Sequence, residues 1–384
     1  YTIYTPIDIE MQEKIEAKYK DYSTFSSTVL SDPPQSAFIV MDYTGNILAV
    51  AGGIGEKAGS NIFNRATMAK RQAGSCFKPL AGYSYSIENN LITWSSIIQD
   101  LPIEIPDENN PGQTRKWPTN YSSTSADNVW SGRSYFTFQA LQRSLNTVSA
   151  RLVDGAGAAN VFEFVMNKFQ ISTLTAYDAN LSPMAVGALT EGIYLRELVA
   201  AYQPFGNGGK YYKPWCYYKV TNSSGSTTLL EKDSEPKQAI SAATADVMNR
   251  MLQTVVTASN GTARNYPVKG FTLFAKTGTS SSNKDKWMCG GTPYYVASAW
   301  SGFKDNREIN INYYTSYPAA RVFQEVMNRI HKGLDAKDFE YSGDAVQRSF
   351  CTVTGLLAGD SCSSVKSGWF KIDNRLKHTI HNIG

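Results

Sequence analysis

The sequence predicts a mixed α/β (α+β) fold: a five-stranded antiparallel sheet flanked by helices and assembled from distant parts of the chain. Three observations predict it. Within "SAFIVMDYTGNILAVAGG", two runs flank a Thr-Gly-Asn turn and read as strands at about 36–42 and 47–52. Both alternations in these runs are apolar, so the sheet is expected to be covered on both faces. Late in the chain, "FTLFAKTGTS", "YYVASAWSGFK" and "EININYYTSY" read as three consecutive antiparallel strands, which makes residues 36–52 and 271–315 the source of the sheet. Between the two groups the pattern is mainly helical.

Taken in order, "DIEMQEKIEAKYK" (residues 8–20) reads as a helix with a partly apolar face. Residues 75–90 suit a second helix. Pro79 is tolerated there only in the first turn, which puts Ser75 at the helix start. Residues 103–134, rich in Pro, Asn, Asp, Ser and Gly, read as a long irregular excursion of the kind that often carries function. Helical patterns return at 136–153, 158–168 and 192–204, the last closed by "FGNGGKYYKP". Residues 215–233 read as a strand–turn–strand insertion, and a helix follows at about 242–256. "PAARVFQEVMNRIHKG" is a final helix, with Pro318 at its start, Gly333 at its end, and Val322, Phe323, Val326, Met327 and Ile330 on one stripe.

Bulk properties narrow the function classes. A length of 384 residues allows two or three units, or one large α/β domain with insertions. With 42% hydrophobic and 18% charged residues, the chain suits a globular enzyme with a large core. The net charge of +4 is mild, and no Lys/Arg run interleaved with aromatics points to a nucleic-acid partner. No stretch reaches the roughly 18 apolar residues of a membrane span. The chain opens on "YTIYTPIDIEMQEKI" without Met and reads as an excised or processed fragment, so it says little about an anchor on the native protein. Five cysteines are present without a CxxC. Cys76, Cys216 and Cys289 read as thiols. Cys351 and Cys362 are expected to lie close together, with a disulfide between them left open.

The three histidines, His331, His378 and His381, all lie late in the chain and far from any Ser- or Gly-rich candidate. The "HTIH" pair reads as solvated tail, and there is no HExxH, metal-spaced Cys/His set or phosphate-cradling glycine loop. No cofactor or metal is called. Without histidine, a serine nucleophile needs another base. In "RQAGSCFKPL", Ser75 and Lys78 stand at i and i+3, on one helix face and roughly 5–6 Å apart. The helix start adds partial positive charge that favours an anionic serine or an oxyanion. A lysine base must be neutral, and moving its pKa from about 10.4 to near 7 takes about 4 kcal/mol. Burial and a second nearby cation supply that shift. Alone, SxxK recurs by chance. Two further elements follow it: Ser144 and Asn146 in "RSLNTVS", and Lys276, Thr277, Gly278 and Thr279 in "FAKTGTS", at the end of an expected strand. Each singly is compatible with a cap or a turn. In this order the three are the mark of penicillin-binding proteins and class A β-lactamases.

At this point the chain resembles the transpeptidase domain of bifunctional, class A penicillin-binding proteins. The resemblance covers roughly residues 1–365. It is carried by "YTIYTPIDIEMQEKIE", by "WPTNYSSTSADNVWSGRSYFTFQALQRSLNTVSARL" and by "LSPMAVGALTEGIYLRELVAAYQPFGNGGKYYKP". It continues through "AKTGTSSSNKDKWMCGGTPYYVASAWSGFKD", with Asp285, Trp287, Gly290 and Pro293 in the family pattern. Cys76, Ala73 and Cys289 depart from the usual residues, and a preceding glycosyltransferase domain is missing from this chain. The resemblance implies a penicillin-binding-protein or serine β-lactamase-like fold with an all-helical subdomain. It implies a transpeptidase domain over residues 1–335 and a C-terminal tail, 336–384, packed on or following it. It implies a membrane-anchored native protein on the extracytoplasmic face of a bacterial cell membrane. Peptidoglycan stem peptides are the implied substrates, with a D-Ala-D-Ala donor and an amine acceptor, and β-lactams the implied acylating ligands. The implied roles are Ser75 as nucleophile, Lys78 as base, Ser144 as proton relay to the leaving amine, and Lys276 as the cation that keeps Lys78 neutral. Asn146 is to bind the substrate amide and orient Lys78. Lys276, Thr277 and Thr279, with Gly278 between them, are to hold the terminal carboxylate. Backbone N–H groups of Ser75 and Thr279 are to form the oxyanion hole.

Two rivals share the motifs. A β-lactamase or D,D-carboxypeptidase would use water as acceptor, and "EFVMN", Glu163 to Asn167, is superficially similar to the water-activating element of such enzymes. It follows Ser144 closely inside an apolar helical run and reads as a helix facing the core. A non-catalytic β-lactam sensor would be acylated and signal, and the intact KTGT with class A-like flanks fits it less well.

Overall fold

The computed structural model describes residues 1–20, 34–57, 59–121, 130–233, 235–309 and 317–373. Its centre is a five-stranded antiparallel sheet. The strands are β1 (Gln35–Met41), β2 (Ile47–Ala51), β3 (Phe274–Thr279), β4 (Asp285–Gly291) and β5 (Val296–Gly302). Their spatial order is β3-β4-β5-β1-β2, so the N-terminal hairpin docks on the C-terminal meander by pairing β1 with β5. Every residue of β4 and β5 is buried, as a sheet covered on both faces requires.

The expected five strands are there, but one of them differs from the reading above. "EININYYTSY" lies mostly outside the described residues. Among the described residues the third C-terminal strand of the sheet is β4, "DKWMCGG", which the sequence pattern does not mark as a strand. Its Asp, Lys and two Gly break any apolar alternation. The structure tolerates the buried Asp285 because its carboxylate accepts from Ser280 Oγ (2.8 Å) and Trp300 Nε1 (2.9 Å).

Helices α1 (Ile9–Lys20), α2 (Thr137–Arg143), α3 (Asn146–Ala156), α4 (Ala158–Phe169), α5 (Leu195–Tyr202), α6 (Ala242–Thr257) and α7 (Pro318–Ile330) account for most of the rest. On the sheet, α5 packs over β1, β4 and β5, while α7 packs on β4 and β5 and also touches α1. The stripe Val322, Phe323, Val326, Met327 and Ile330 is buried, with Pro318 opening α7. Ser241 caps α6, its Oγ accepting from Thr244 N–H at 3.2 Å.

Two expected helices are broken, both at the site. The run from Ser75 is a 3₁₀ turn (Gly74–Cys76), then a wide turn (Pro79–Tyr83), then a short α-helix (Ser84–Glu88). Pro79 has no N–H to donate, and Tyr83 N–H reaches Lys78 O at 3.5 Å. The expected helix over 136–153 divides at Ser144, which adopts a left-handed φ of 60° between α2 and α3. Residues 103–134 contain a hairpin, Ile103–Pro106 with Thr114–Trp117, and residues 122–129 lie outside the described ones. The insertion pairs Lys219–Thr221 with Thr228–Glu231, and also with Thr2–Tyr4. After α7, strands β6 (Ala345–Cys351) and β7 (Val365–Lys371) form a hairpin against α6.

Candidate active site

Three chain segments, distant in sequence, meet at the free edge of β3. The Ser75 turn lies directly on that edge. Gly74 has φ +52°, and a Cβ there would stand 2.3 Å from Thr279 O, so both the conformation and the space require glycine. From the strand side, a Cβ on Gly278 would stand 2.5 Å from Ala73 O. The turn is anchored behind by Tyr202 Oη to Cys76 O (2.6 Å), Trp287 Nε1 to Gln72 O (2.8 Å) and Cys76 Sγ to Lys276 O (3.2 Å). Cys76 is thus fully buried, and burial pushes its thiol up to about 12.

Behind Ser75, Lys78 is completely buried between the sheet and the helices. Its Nζ donates to Ser144 O (2.7 Å), Asn146 Oδ1 (2.5 Å) and Ser144 Oγ (3.4 Å). The left-handed Ser144 makes this possible by turning its carbonyl and hydroxyl toward one amine, a sparsely populated conformation of the kind that clusters at functional sites. Lys276, also completely buried, donates to Ser144 Oγ (2.8 Å) and Thr277 O (3.0 Å). Ser144 Oγ therefore bridges the two lysines. Burial, reinforced by the charge of Lys276, holds Lys78 well below the usual lysine range. Burial lowers Lys276 to about 8.

The site opens into a cleft of about 780 Å³ lined by Ser75, Ser144, Asn146, Thr277 and Thr279 among others. Ser75, Lys78, Ser144, Asn146, Lys276, Thr277, Gly278 and Thr279 are brought together here. Glu163 is not: α4 faces the core through Val161, Phe162, Val165 and Phe169, as expected, and Glu163 lies on its exposed side. Among the described residues no group of three His, Cys, Asp or Glu is placed to hold a metal, and His378 and His381 lie outside them. No helix among the described residues is long and apolar enough to cross a membrane.

Several cleft residues belong to none of the three motif elements, although Asn120 lies in the family-like "WPTN" run. Thr262 lines the cleft and accepts from Thr277 Oγ1 at 2.7 Å. Asn120 accepts from Asn146 N–H (2.8 Å) and donates to Asp100 (2.6 Å), while Asn146 Nδ2 donates to Thr119 O (2.7 Å). The segment "WPTN" thus fixes the start of α3. Tyr317 donates to Gly278 O and lies 2.9 Å from Thr279 Oγ1. A threonine, an asparagine and a tyrosine in loops have no spacing rule that would single them out.

Comparison with known proteins follows the same outline. Residues 35–328 match the penicillin binding protein transpeptidase domain. The chain is 31% identical over 362 residues to penicillin-binding protein 1A of Clostridium botulinum (strain Langeland), covering 92% of this chain and 42% of that protein. It is 30% identical over 303 residues to penicillin-binding protein 4 of Bacillus subtilis, covering 78% of this chain and 44% of that one. Among solved structures, penicillin-binding protein 1A of Haemophilus influenzae superposes with a TM-score of 0.72 at 22% identity, covering 89% of this chain and 54% of that chain. PonA1 of Mycobacterium tuberculosis, solved in complex with penicillin V, superposes with a TM-score of 0.68 at 21% identity, covering 88% of each chain. The chain spans about two-fifths of the length of the curated relatives it matches. A motif triplet in family order, the matched sheet-and-helix fold and these identities lead to one statement: the chain belongs to the penicillin-binding protein transpeptidase family.

Proposed function

We propose that this chain is a serine-type peptidoglycan D,D-transpeptidase that cross-links stem peptides and is acylated by β-lactams. The observation that carries the reading is the pair of buried lysines joined through Ser144 Oγ, beside a cleft that contains Ser75. A lysine held neutral by burial and by a second cation is a base one helical turn from a serine.

In the proposed reaction Ser75 Oγ attacks the carbonyl of the penultimate D-alanine, and its proton passes to Lys78. Backbone N–H groups of Ser75 and Thr279 hold the oxyanion. The C–N bond then breaks, and the leaving D-alanine takes a proton relayed through Ser144 from Lys78. Lys276, Thr277 and Thr279 bind the terminal carboxylate, with Thr262 holding Thr277 in place. Asn146, whose Oδ1 engages Lys78, has an Nδ2 group to offer the substrate amide. An amine from a second stem peptide attacks the acyl-enzyme, gives its proton to Lys78 and restores Ser75. A D,D-carboxypeptidase side activity is the same cycle with water as acceptor. The native protein is read as membrane-anchored, extracytoplasmic and preceded by a glycosyltransferase domain, which fits relatives more than twice as long as this chain.

Incubation with a labelled penicillin tests the reading by intact mass. One penicilloyl increment is expected, persisting for minutes or longer. Ser75→Ala removes it, and Lys78→Ala slows its formation by about 10²–10⁴. Glu163→Gln leaves its lifetime unchanged. Rapid penicillin turnover would replace the transpeptidase with a β-lactamase, and a stable adduct without release of D-alanine from a stem-peptide mimic would leave a sensor.

A further inference from the structure

Beyond Thr279 the cleft ends on a lysine that none of these steps uses. Lys286 stands opposite Thr279 in the β3–β4 register, and only 2% of its surface is exposed. Its Nζ donates to Asn283 Oδ1 (2.8 Å) and lies 5.8 Å from the centre of the Tyr121 ring and 5.4 Å from that of Tyr317. Asn283, Tyr121 and Tyr317 all line the cleft. The ammonium group is therefore one side chain behind the cleft wall, and it faces that wall through two π faces and an amide. Among the described residues Lys286 forms no salt bridge. Burial lowers it to about 8, and the charge of exposed Glu308, which accepts from Asn283 Nδ2 at 3.1 Å, partly offsets that. It thus remains mainly protonated at neutral pH. A buried cation without a direct counter-ion costs free energy, and such groups beside a cleft are candidates for function.

The position of Lys286 says which part of a ligand it meets. Lys276, Thr277 and Thr262 occupy one end of the site, with Ser144. Thr279 lies two strand residues further on, about 7 Å away. Under the transpeptidase reading, on which this inference rests, the leaving alanine points to the Lys276 end. The retained part of the donor runs past Thr279 toward Asn283. We infer that Lys286, with Asn283, Tyr121 and Tyr317, forms an anion-recognising end of the cleft, selecting acyl donors with a side-chain carboxylate on the residue preceding the acylated alanine. The aromatic faces hold the cation in place, and an incoming carboxylate supplies a counter-charge that no described residue gives it directly.

Two synthetic donors ending in D-Ala-D-Ala test this, identical except that the preceding side chain ends in a carboxylate in one and in its primary amide in the other. The readout is the ratio of kcat/KM for D-alanine release, taken within each protein so that any loss of folded fraction cancels. Wild-type protein is expected to favour the carboxylate donor about tenfold, the scale of a through-space attraction in a partly desolvated site. Lys286→Met abolishes the preference and Lys286→Arg retains it. Equal kcat/KM for both donors in the wild type, or a preference that survives Lys286→Met, overturns the inference. If Lys286→Met does not fold, the wild-type ratio still decides. It must fall as pH rises through about 8, because Lys286 then loses its charge, whereas deprotonation of Lys276 affects both donors alike. A ratio that stays flat or rises overturns the inference. Failure of both donors to release D-alanine overturns the transpeptidase reading together with it, whereas equal release removes only the role of Lys286.

Discussion

Lys78 and Lys276 share one serine hydroxyl, and burial moves both toward the free base, with the charge of Lys276 adding to the effect on Lys78. In the proposed cycle Lys78 is the base, and its unprotonated fraction rises with pH. In the same cycle Lys276, lowered to about 8, is the cation, and its charge is lost above that pH. For a donor with a terminal carboxylate, kcat/KM is therefore expected to rise through the depressed Lys78 pKa and fall above about 8. An ester substrate without that carboxylate should keep the rise and lose most of the fall, which pH profiles of the two substrates check. Lys276→Ala should cost the carboxylate donor about 1.5–3 kcal/mol more than the ester, the worth of a charge-assisted contact. Equal losses would restrict Lys276 to tuning Lys78.

At the scale of elements, the site depends on a turn pressed against a strand. Gly278→Ala puts a methyl group 2.5 Å from Ala73 O and forces β3 and the Ser75 turn apart. Overpacking of this kind typically costs about 1–3 kcal/mol, so thermal unfolding should move down and penicillin acylation should slow well beyond the stability effect. Unchanged acylation with normal stability would mean that the edge relaxes freely. A second element-scale case is the β6–β7 hairpin. Cys351 and Cys362 are neighbours and both thiols. Backbone N–H groups of Thr354 and Val353 hold Cys351 down at about 7. Mild oxidation should join them and stabilise the hairpin by up to about 3 kcal/mol on the chain-entropy model. Thiol counting under denaturation tests it: five reactive thiols after oxidation, as many as the sequence holds, would rule the bond out.

Across the whole molecule, two cations fasten the C-terminal hairpin to the helical cover of the sheet: Lys371 of β7 donates to Ile87 O (3.2 Å) and Glu88 O (3.0 Å), and Arg250 stacks on it from α6. Arg250 of α6 lies between Tyr341 (3.5 Å) and Trp369 (3.6 Å), and Asp246 accepts from Ser342 one turn earlier. Gly368 rests on Trp94, and Ser95 Oγ donates to Gly355 O at 2.7 Å. Arg250→Ala removes two stacked contacts of about 0.5–2 kcal/mol each. Limited proteolysis should then cut the hairpin first while penicillin acylation persists. Simultaneous loss of both would show that the hairpin also supports the catalytic face.

The sequence by itself determined the strands with two apolar faces, the α7 stripe and the three motif elements, because burial and local spacing are written in consecutive residues. It did not reveal β4, whose polar Asp285 and Lys286 are buried; Ser280 and Asn283 partner them locally, but Trp300 Nε1 reaches Asp285 only from the neighbouring strand. Nor did it reveal the breaks at Pro79 and Ser144, where the site takes its geometry from contacts between segments. Thr262, Asn120, Tyr121 and Tyr317 join the cleft by the same route: their neighbours there come from other segments of the chain, so no spacing rule assigns them a place in the site. The identity of the chemical groups was local information. Which groups face one another, and the charge states that burial then imposes on Lys78, Lys276 and Lys286, were decided only when the chain excluded water around them.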